Sequence, residues 1–216
     1  MPDTPSATLP GKPRSFLSVV MRFLRLWSHP ESFLQKTGQL RSFRENRPVD
    51  AAGRPLPWLP YALIHLLDDR LNDTLRVFEY GSGYSTLFFA SRVATVNSVE
   101  HVAEWVSELE PYLPANASLA HAAGEAYASA PTQHAPFDLI LIDGIDRMAC
   151  LQQALNCLSP GGVIVLDDTH REDYAAGLEE VCKQGFKVLR WFGPKPTSLI
   201  EAQSSLIYKP KNCLQI

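Results

Sequence analysis

The sequence has no long apolar run, no paired-cysteine motif and no basic excess, and each lack removes a class of function. No stretch of its 216 residues approaches the roughly 20 consecutive apolar positions of a bilayer-spanning helix. Cys150, Cys157, Cys182 and Cys213 contain no C-x-x-C pair, and the first two fall in a helix-like segment. They read as reduced, buried thiols of a cytosolic protein, not as zinc ligands or a disulfide frame. A formal net charge of -3 lacks the positive balance of a general nucleic-acid binder, so no nucleic-acid partner is expected. No G-x-x-x-x-G-K-[ST] loop is present to cradle a triphosphate, and no internal repeat is visible. The apolar run Phe16-Leu-Ser-Val-Val-Met21 is broken by Arg22 and lacks a small-residue cleavage site, so it does not read as a signal peptide.

The chain is long enough for one α/β domain with an N-terminal extension. Residues 1–13 are rich in Pro, Ser and Thr and are expected to be disordered. Residues 14–60 read as a helical, then proline-broken extension or cap, and residues 61–216 alternate strand and helix patterns. The periodicity predicts helices over 61–71, 85–93, 102–113, 147–158 and 171–184, and strands over 75–80, 95–100, 117–122, 137–143 and 162–167. A loop rich in Ala and Pro is expected after the third strand. Two β segments, 186–192 and 204–209, have no room for a helix between them and are expected to pair as an antiparallel hairpin. Continuously apolar strands such as Leu139-Ile-Leu-Ile142 fit a sheet covered by helices on both faces. Regular β–α alternation then gives a doubly wound, mostly parallel sheet.

The most informative stretch is Arg76-Val-Phe-Glu79-Tyr80, which ends in Gly81-Ser82-Gly83-Tyr84-Ser85-Thr86 and passes straight into a helix pattern. A buried strand turning on glycines into a helix leaves backbone open where a nucleotide-like ligand can rest. Gly81 permits the sharp turn, and Gly83 permits close approach. Acids end four strands: Glu79, Glu100, Asp143, and the pair Asp167-Asp168. Each alone reads as a helix cap; together on one rim they suggest a shared polar ligand. A dinucleotide fits imperfectly, because the third small position of its fingerprint holds Thr86 and Glu79 would repel a pyrophosphate. A cationic ligand rich in hydroxyls suits these carboxylates, and S-adenosylmethionine is such a ligand.

On these residues the chain resembles the class I S-adenosylmethionine-dependent methyltransferases. Glu79-Tyr80-Gly81-Ser82-Gly83 resembles that family's E/D-x-G-x-G motif, and Glu100 in Val99-Glu100-His101 matches the acid that would hold the ribose hydroxyls. Phe137-Asp-Leu-Ile-Leu-Ile-Asp143-Gly144 is similar to the fourth-strand motif, and Leu158-Ser-Pro-Gly-Gly162 to the turn into the fifth. The ordered set covers residues 75–170. The resemblance implies a Rossmann-like, seven-stranded sheet with a reversed last strand. It also implies cofactor contacts from Glu79, Tyr80, Gly81, Ser82, Gly83, Ser85, Thr86, Glu100, His101, Asp143 and Gly144, with Gly124 and Glu125 near the adenine.

Such an enzyme aligns an acceptor and, for a hydroxyl, helps remove its proton. Asp143, Asp168 and His170 lie on the rim for this work, His170 as base; the plainer reading of His170 is a cap or packing residue. Within the family, Asp143 and Asp168 match two metal ligands of the small catechol-type O-methyltransferases. The third place holds Thr169 instead of asparagine, and strand alternation turns Asp167 away from Asp168. The reading therefore leans against an obligatory divalent metal. Trp58 and Tyr61 are candidate linings of an acceptor pocket, whereas Trp105 and Trp191 read as packing residues. A small-molecule O-methyltransferase is expected; the alternatives are a non-catalytic binding protein of the same fold and an NAD-linked oxidoreductase. The N-terminal helix pattern, with Arg14, Ser18, Arg22 and Arg25 opposite a broad apolar face, reads as packing on its own domain, on a twin subunit in a homodimer, or on a membrane surface.

Overall fold

The computed structural model describes residues 14–216. The disorder expected for residues 1–13 lies outside the described residues.

Three short helices open the chain. The first, α1 (Phe16–Ser28), begins where the Ser15 hydroxyl accepts the Ser18 N–H. It is followed by α2 (Phe33–Lys36) and α3 (Gln39–Glu45), the latter closed by Asn46 in the left-handed region. Pro48, Pro55, Pro57 and Pro60 then deny the backbone a helix. That segment folds as a turn in which Asp50 Oδ1 accepts the N–H groups of Ala52 and Arg54. Its apolar residues Leu56 and Leu59 pack into the same core as the sheet.

From α4 (Tyr61–Arg70) onward the alternation is regular. The order is β1 (Arg76–Tyr80), α5 (Tyr84–Ala90), β2 (Thr95–Glu100), α6 (Ala103–Leu109) and β3 (Ala117–His121). Next come α7 (Glu125–Ser129), β4 (Phe137–Ile142), α8 (Arg147–Cys157) and β5 (Leu158–Leu166). The chain closes with α9 (Ala175–Lys183), β6 (Lys187–Gly193) and β7 (Ala202–Tyr208). The seven strands form one sheet in the order β3-β2-β1-β4-β5-β7-β6. Strands β1 to β5 are parallel, and β7 runs antiparallel between β5 and β6.

The apolar strands explain both core layers. Leu139, Leu141, Val163 and Val165 face one side with Leu63, Leu67, Phe88 and Phe89. Their neighbours Ile140, Ile142, Ile164 and Leu166 face the other side with Tyr80, Tyr127 and Leu151. Because successive side chains alternate faces, only a continuous apolar run fills two layers at once.

Three of the differences from expectation have a visible physical cause. The helix over 102–113 ends at Leu109, and Glu110-Pro111-Tyr112 tightens into a 3₁₀ turn, where Pro111 has no N–H to continue the α pattern. The expected Ala/Pro loop contains α7, which forms because Tyr127 buries itself beside Tyr80. The fifth strand starts at Leu158, four residues early, because Phe137 already pairs with Leu158 before a register shift. Among the described residues no helix is long and apolar enough to cross a membrane.

The chain leaves β1 toward β2 and β3, then returns to the other side of β1 for β4. That reversal opens a crevice beyond the carboxyl ends of β1 and β4.

Candidate active site

Two cavities lie side by side at this crevice. The first, about 600 Å³, is lined by the turn residues Gly81–Ser85 together with Glu79, Glu100, His101, Trp105, Asp143, Gly144 and Ile145, and by Asn46, Arg47, Pro48 and Trp58 from the N-terminal segment. The second, about 500 Å³, is lined by Asp143, Arg147, Asp167, Asp168, His170, Lys195, Ser198, Ile200, Glu201, Ala202 and Trp58. Asp143 and Trp58 belong to both.

The glycine turn is fixed by its own backbone. Gly81 has φ of +83°, and its N–H donates to Val99 O at 2.9 Å. The positive φ favours glycine, and a Cβ there would also sit a tight 3.2 Å from the Asp143–Gly144 backbone. Gly83 differs: its backbone is extended, and a Cβ would meet only the Trp105 ring at 3.8 Å. Its small size leaves the turn open to the cavity instead. Gly144 is the second close approach, where a Cβ would collide with the Tyr127 hydroxyl.

Thr86 is not the steric fault that the dinucleotide fingerprint suggests. It is buried, its hydroxyl accepts the Gly83 N–H at 3.0 Å, and the same hydroxyl donates to Glu79 Oε2 at 2.5 Å. The third position thus ties the turn to the acid. Glu79 is 1% exposed. Burial pushes its carboxyl up to about 7, against the pull of the Ser85 and Thr86 hydroxyls and with a further push from Glu100. Glu100 is held by three backbone donors, the N–H groups of Ser82 (3.1 Å), His101 (2.8 Å) and Val102 (3.0 Å). Its Oε1 also lies 2.8 Å from His101 Nδ1. Trp105, expected as a packing residue, instead walls the cavity and donates its indole N–H to Ser82 O at 2.8 Å.

Four of the sequence-predicted cofactor residues lie outside this lining. Tyr80 is buried in the core, with its hydroxyl donating to Ala128 O at 2.6 Å. Thr86 acts through Glu79 and Gly83, as described. Gly124 and Glu125 line neither cavity. Tyr61, a candidate acceptor-pocket residue, is instead buried edge-on against Phe33, and Trp191 packs against the sheet core as expected.

The second cavity is a charge network. Lys195 Nζ donates to Asp167 Oδ2 at 2.6 Å and to Asp168 Oδ1 at 3.2 Å. Arg147 lies 3.0 Å from Asp143 Oδ1 and 3.3 Å from Asp168 Oδ2. The expected opposition of Asp167 and Asp168 does not hold. The strand ends at Leu166, and Asp168 takes φ of +55°, which brings both carboxylates to one ammonium. Ser204 completes Asp167 with a 2.5 Å hydrogen bond. Desolvation, then the neighbouring Asp167 charge, raises the Asp143 carboxyl well above its ordinary range despite Arg147 and Lys195. Burial works the same way on Asp168, but Lys195, Arg147 and Arg171 outweigh it and hold that carboxyl low. Burial would lower Lys195, yet the three aspartates more than reverse this, and it stays an ammonium. His170 lines the same cavity, so Asp143, Asp168 and His170 are brought together.

The metal set implied by the family resemblance does not fit. Thr169 turns into the sheet, its hydroxyl 2.8 Å from Ser205 Oγ and 3.0 Å from Gln203 Nε2. Arg147 and Lys195 already hold the oxygens of Asp143 and Asp168 that a divalent ion would need. Among the described residues no cluster of three or more His, Cys, Asp or Glu could hold a metal ion. The sequence reading missed both cations. Asp143 lies in the connection before α8, so the helical spacing rule does not announce its pair with Arg147, and nothing near Lys195 announces its partners.

Residues 78–169 match the family model described as a methyltransferase domain. No curated protein matches the chain. Among solved structures, the chain is similar to the precorrin 8W decarboxylase encoded in the Methanobacterium thermoautotrophicum genome, with 20% identity and a TM-score of 0.55 over 76% of this chain and 97% of that one. It is also similar to a candidate O-methyltransferase from Klebsiella pneumoniae, with 18% identity and a TM-score of 0.53 over 88% and 96%. A third likeness is to a candidate methyltransferase from Streptococcus mutans in complex with SAH, with 14% identity and a TM-score of 0.51 over 69% and 98%.

Proposed function

We propose that this chain is a class I S-adenosylmethionine-dependent methyltransferase, a reading its methyltransferase-domain match and fold support, and that it methylates an oxygen of a small-molecule acceptor without a divalent metal. The observation that carries the reading is the junction of the two cavities at Asp143 and Trp58. A donor held in the first and an acceptor held in the second would meet there.

In the first cavity Glu100 is the acceptor for ribose hydroxyls, its carboxylate already oriented by three N–H groups. Glu79 and the open face of Gly83 suit the positively charged methionine end, and Trp105 closes one wall. S-adenosylmethionine supplies a methyl carbon activated by its sulfonium. In the second cavity His170 takes the acceptor's hydroxyl proton as the new C–O bond forms and the C–S bond breaks. Lys195 and Arg147 are donors fixed by aspartates, so they hold the reacting oxygen and favour its anionic form. Their charge does the work that a metal ion does elsewhere.

The test is a screen of hydroxylated acceptors with isotopically labelled S-adenosylmethionine, run in EDTA and with added Mg²⁺. Label transferred equally well in EDTA supports the reading. Transfer restored only by Mg²⁺ overturns the metal-free part, and label arriving on nitrogen or carbon overturns the choice of oxygen.

A further inference from the structure

Helix α1 is the one described helix of more than a few residues that contributes nothing to the core. Not one of its 13 residues is buried, and Phe16, Leu17, Phe23, Leu24 and Trp27 are each more than half exposed. Among the described residues none buries this apolar face. At 100° per residue the face runs from Leu26 through Phe23, Phe16, Trp27 and Leu24 to Leu17, about half of the helix circumference. A single partner helix covers a narrower seam than that, whereas a planar apolar medium covers all of it.

The opposite face is basic. Arg14, Arg22 and Arg25 lie on it with Ser18, and no acid occurs between Arg14 and Ser28. The nearest, Glu31, is paired with Lys36. This local positive charge belongs to a chain whose net charge is -3. A broad face of Phe, Leu and Trp opposite arginines is the pattern of a helix lying in the plane of a charged interface. At 13 residues, about 20 Å, it is too short to span a bilayer and long enough to lie on one.

We propose that α1 docks the protein on an anionic lipid surface, with the apolar face among the acyl chains and the arginines at the headgroups. The helix remains tied to the rest of the chain through Gln35, whose side-chain amide donates to Trp27 O at 2.7 Å. None of its residues lines either cavity of the active site.

The test uses the full chain with vesicles of phosphatidylcholine alone and of phosphatidylcholine mixed with phosphatidylglycerol. Co-sedimentation with the mixed vesicles only, weakened by salt, is the expected result. Phe23→Glu should abolish it, and Arg22→Gln with Arg25→Gln should weaken it about thirty-fold. S-adenosylhomocysteine affinity serves as the folding control and should be unchanged in each variant. Equal binding to both vesicle types would remove the anionic requirement and overturn the proposal. Absence of vesicle binding would overturn it as well, and a dimer lost in Phe23→Glu would then show that a second copy covers the face.

Discussion

Glu79 carries the sharpest consequence at the scale of a residue. Its carboxyl is raised to about 7, so in the ligand-free protein it is largely protonated below neutrality. The stability it contributes is fully present below about pH 4.5, its unfolded value, and is lost as pH rises through about 7. Melting curves of the free protein across that window should slope downward with pH, and Glu79→Gln should flatten the slope. A cationic ligand beside Glu79 favours the ionised form, so S-adenosylmethionine should bind more tightly as pH rises through 7, with proton release. Titration in buffers of different ionisation enthalpy reads that release directly. For Glu100→Ala the expectation is a cofactor affinity weaker by about 1.5–3 kcal/mol, the range for a charge-assisted hydrogen bond. Lys195→Met leaves the buried Asp167 carboxylate without its ammonium, a loss of about 3–5 kcal/mol in denaturant unfolding. Methyl transfer should fall further than S-adenosylhomocysteine binding in that variant. Equal losses in both would place Lys195 in the framework only.

At the scale of elements, the loop between β6 and β7 depends on a helix far away in sequence. Gln39 of α3 donates to Lys195 O at 3.1 Å and to Ser198 O at 2.8 Å. Gln39→Ala removes both bonds from the loop that delivers Lys195, so KM for the acceptor should rise while S-adenosylhomocysteine affinity holds. A matched weakening of acceptor and S-adenosylhomocysteine binding would contradict this division of labour. The same scale shows what was legible in the sequence. Strands β4 and β5 were readable because a strand buried on both faces is largely a continuous apolar run, and β1 was readable from its short Val-Phe core running into the glycine turn. The cation network was not. Lys195 sits in Gly193-Pro-Lys-Pro196, and it meets Asp167 only because β7 inserts between β5 and β6. Nor does any glycine mark the left-handed turn at Asp168 that brings two carboxylates together. Thr86 was read as a steric misfit because the fingerprint considers size and not the hydroxyl that holds Glu79.

At the scale of the whole molecule, the reversal of strand order between β1 and β4 places both cavities on one rim, and Asp143 joins them. A ligand that binds only the folded chain stabilises it by about 2.7 kcal/mol when present at a hundred times its Kd. The first cavity, as proposed, seats S-adenosylmethionine and not a dinucleotide. Calorimetric titration with S-adenosylhomocysteine and with NAD, on the wild type and on Glu100→Ala, tests it most directly. The expected result is one S-adenosylhomocysteine per chain, weakened in the variant, and no heat from NAD. Tight NAD binding without S-adenosylhomocysteine binding would instead make the cavity a dinucleotide site.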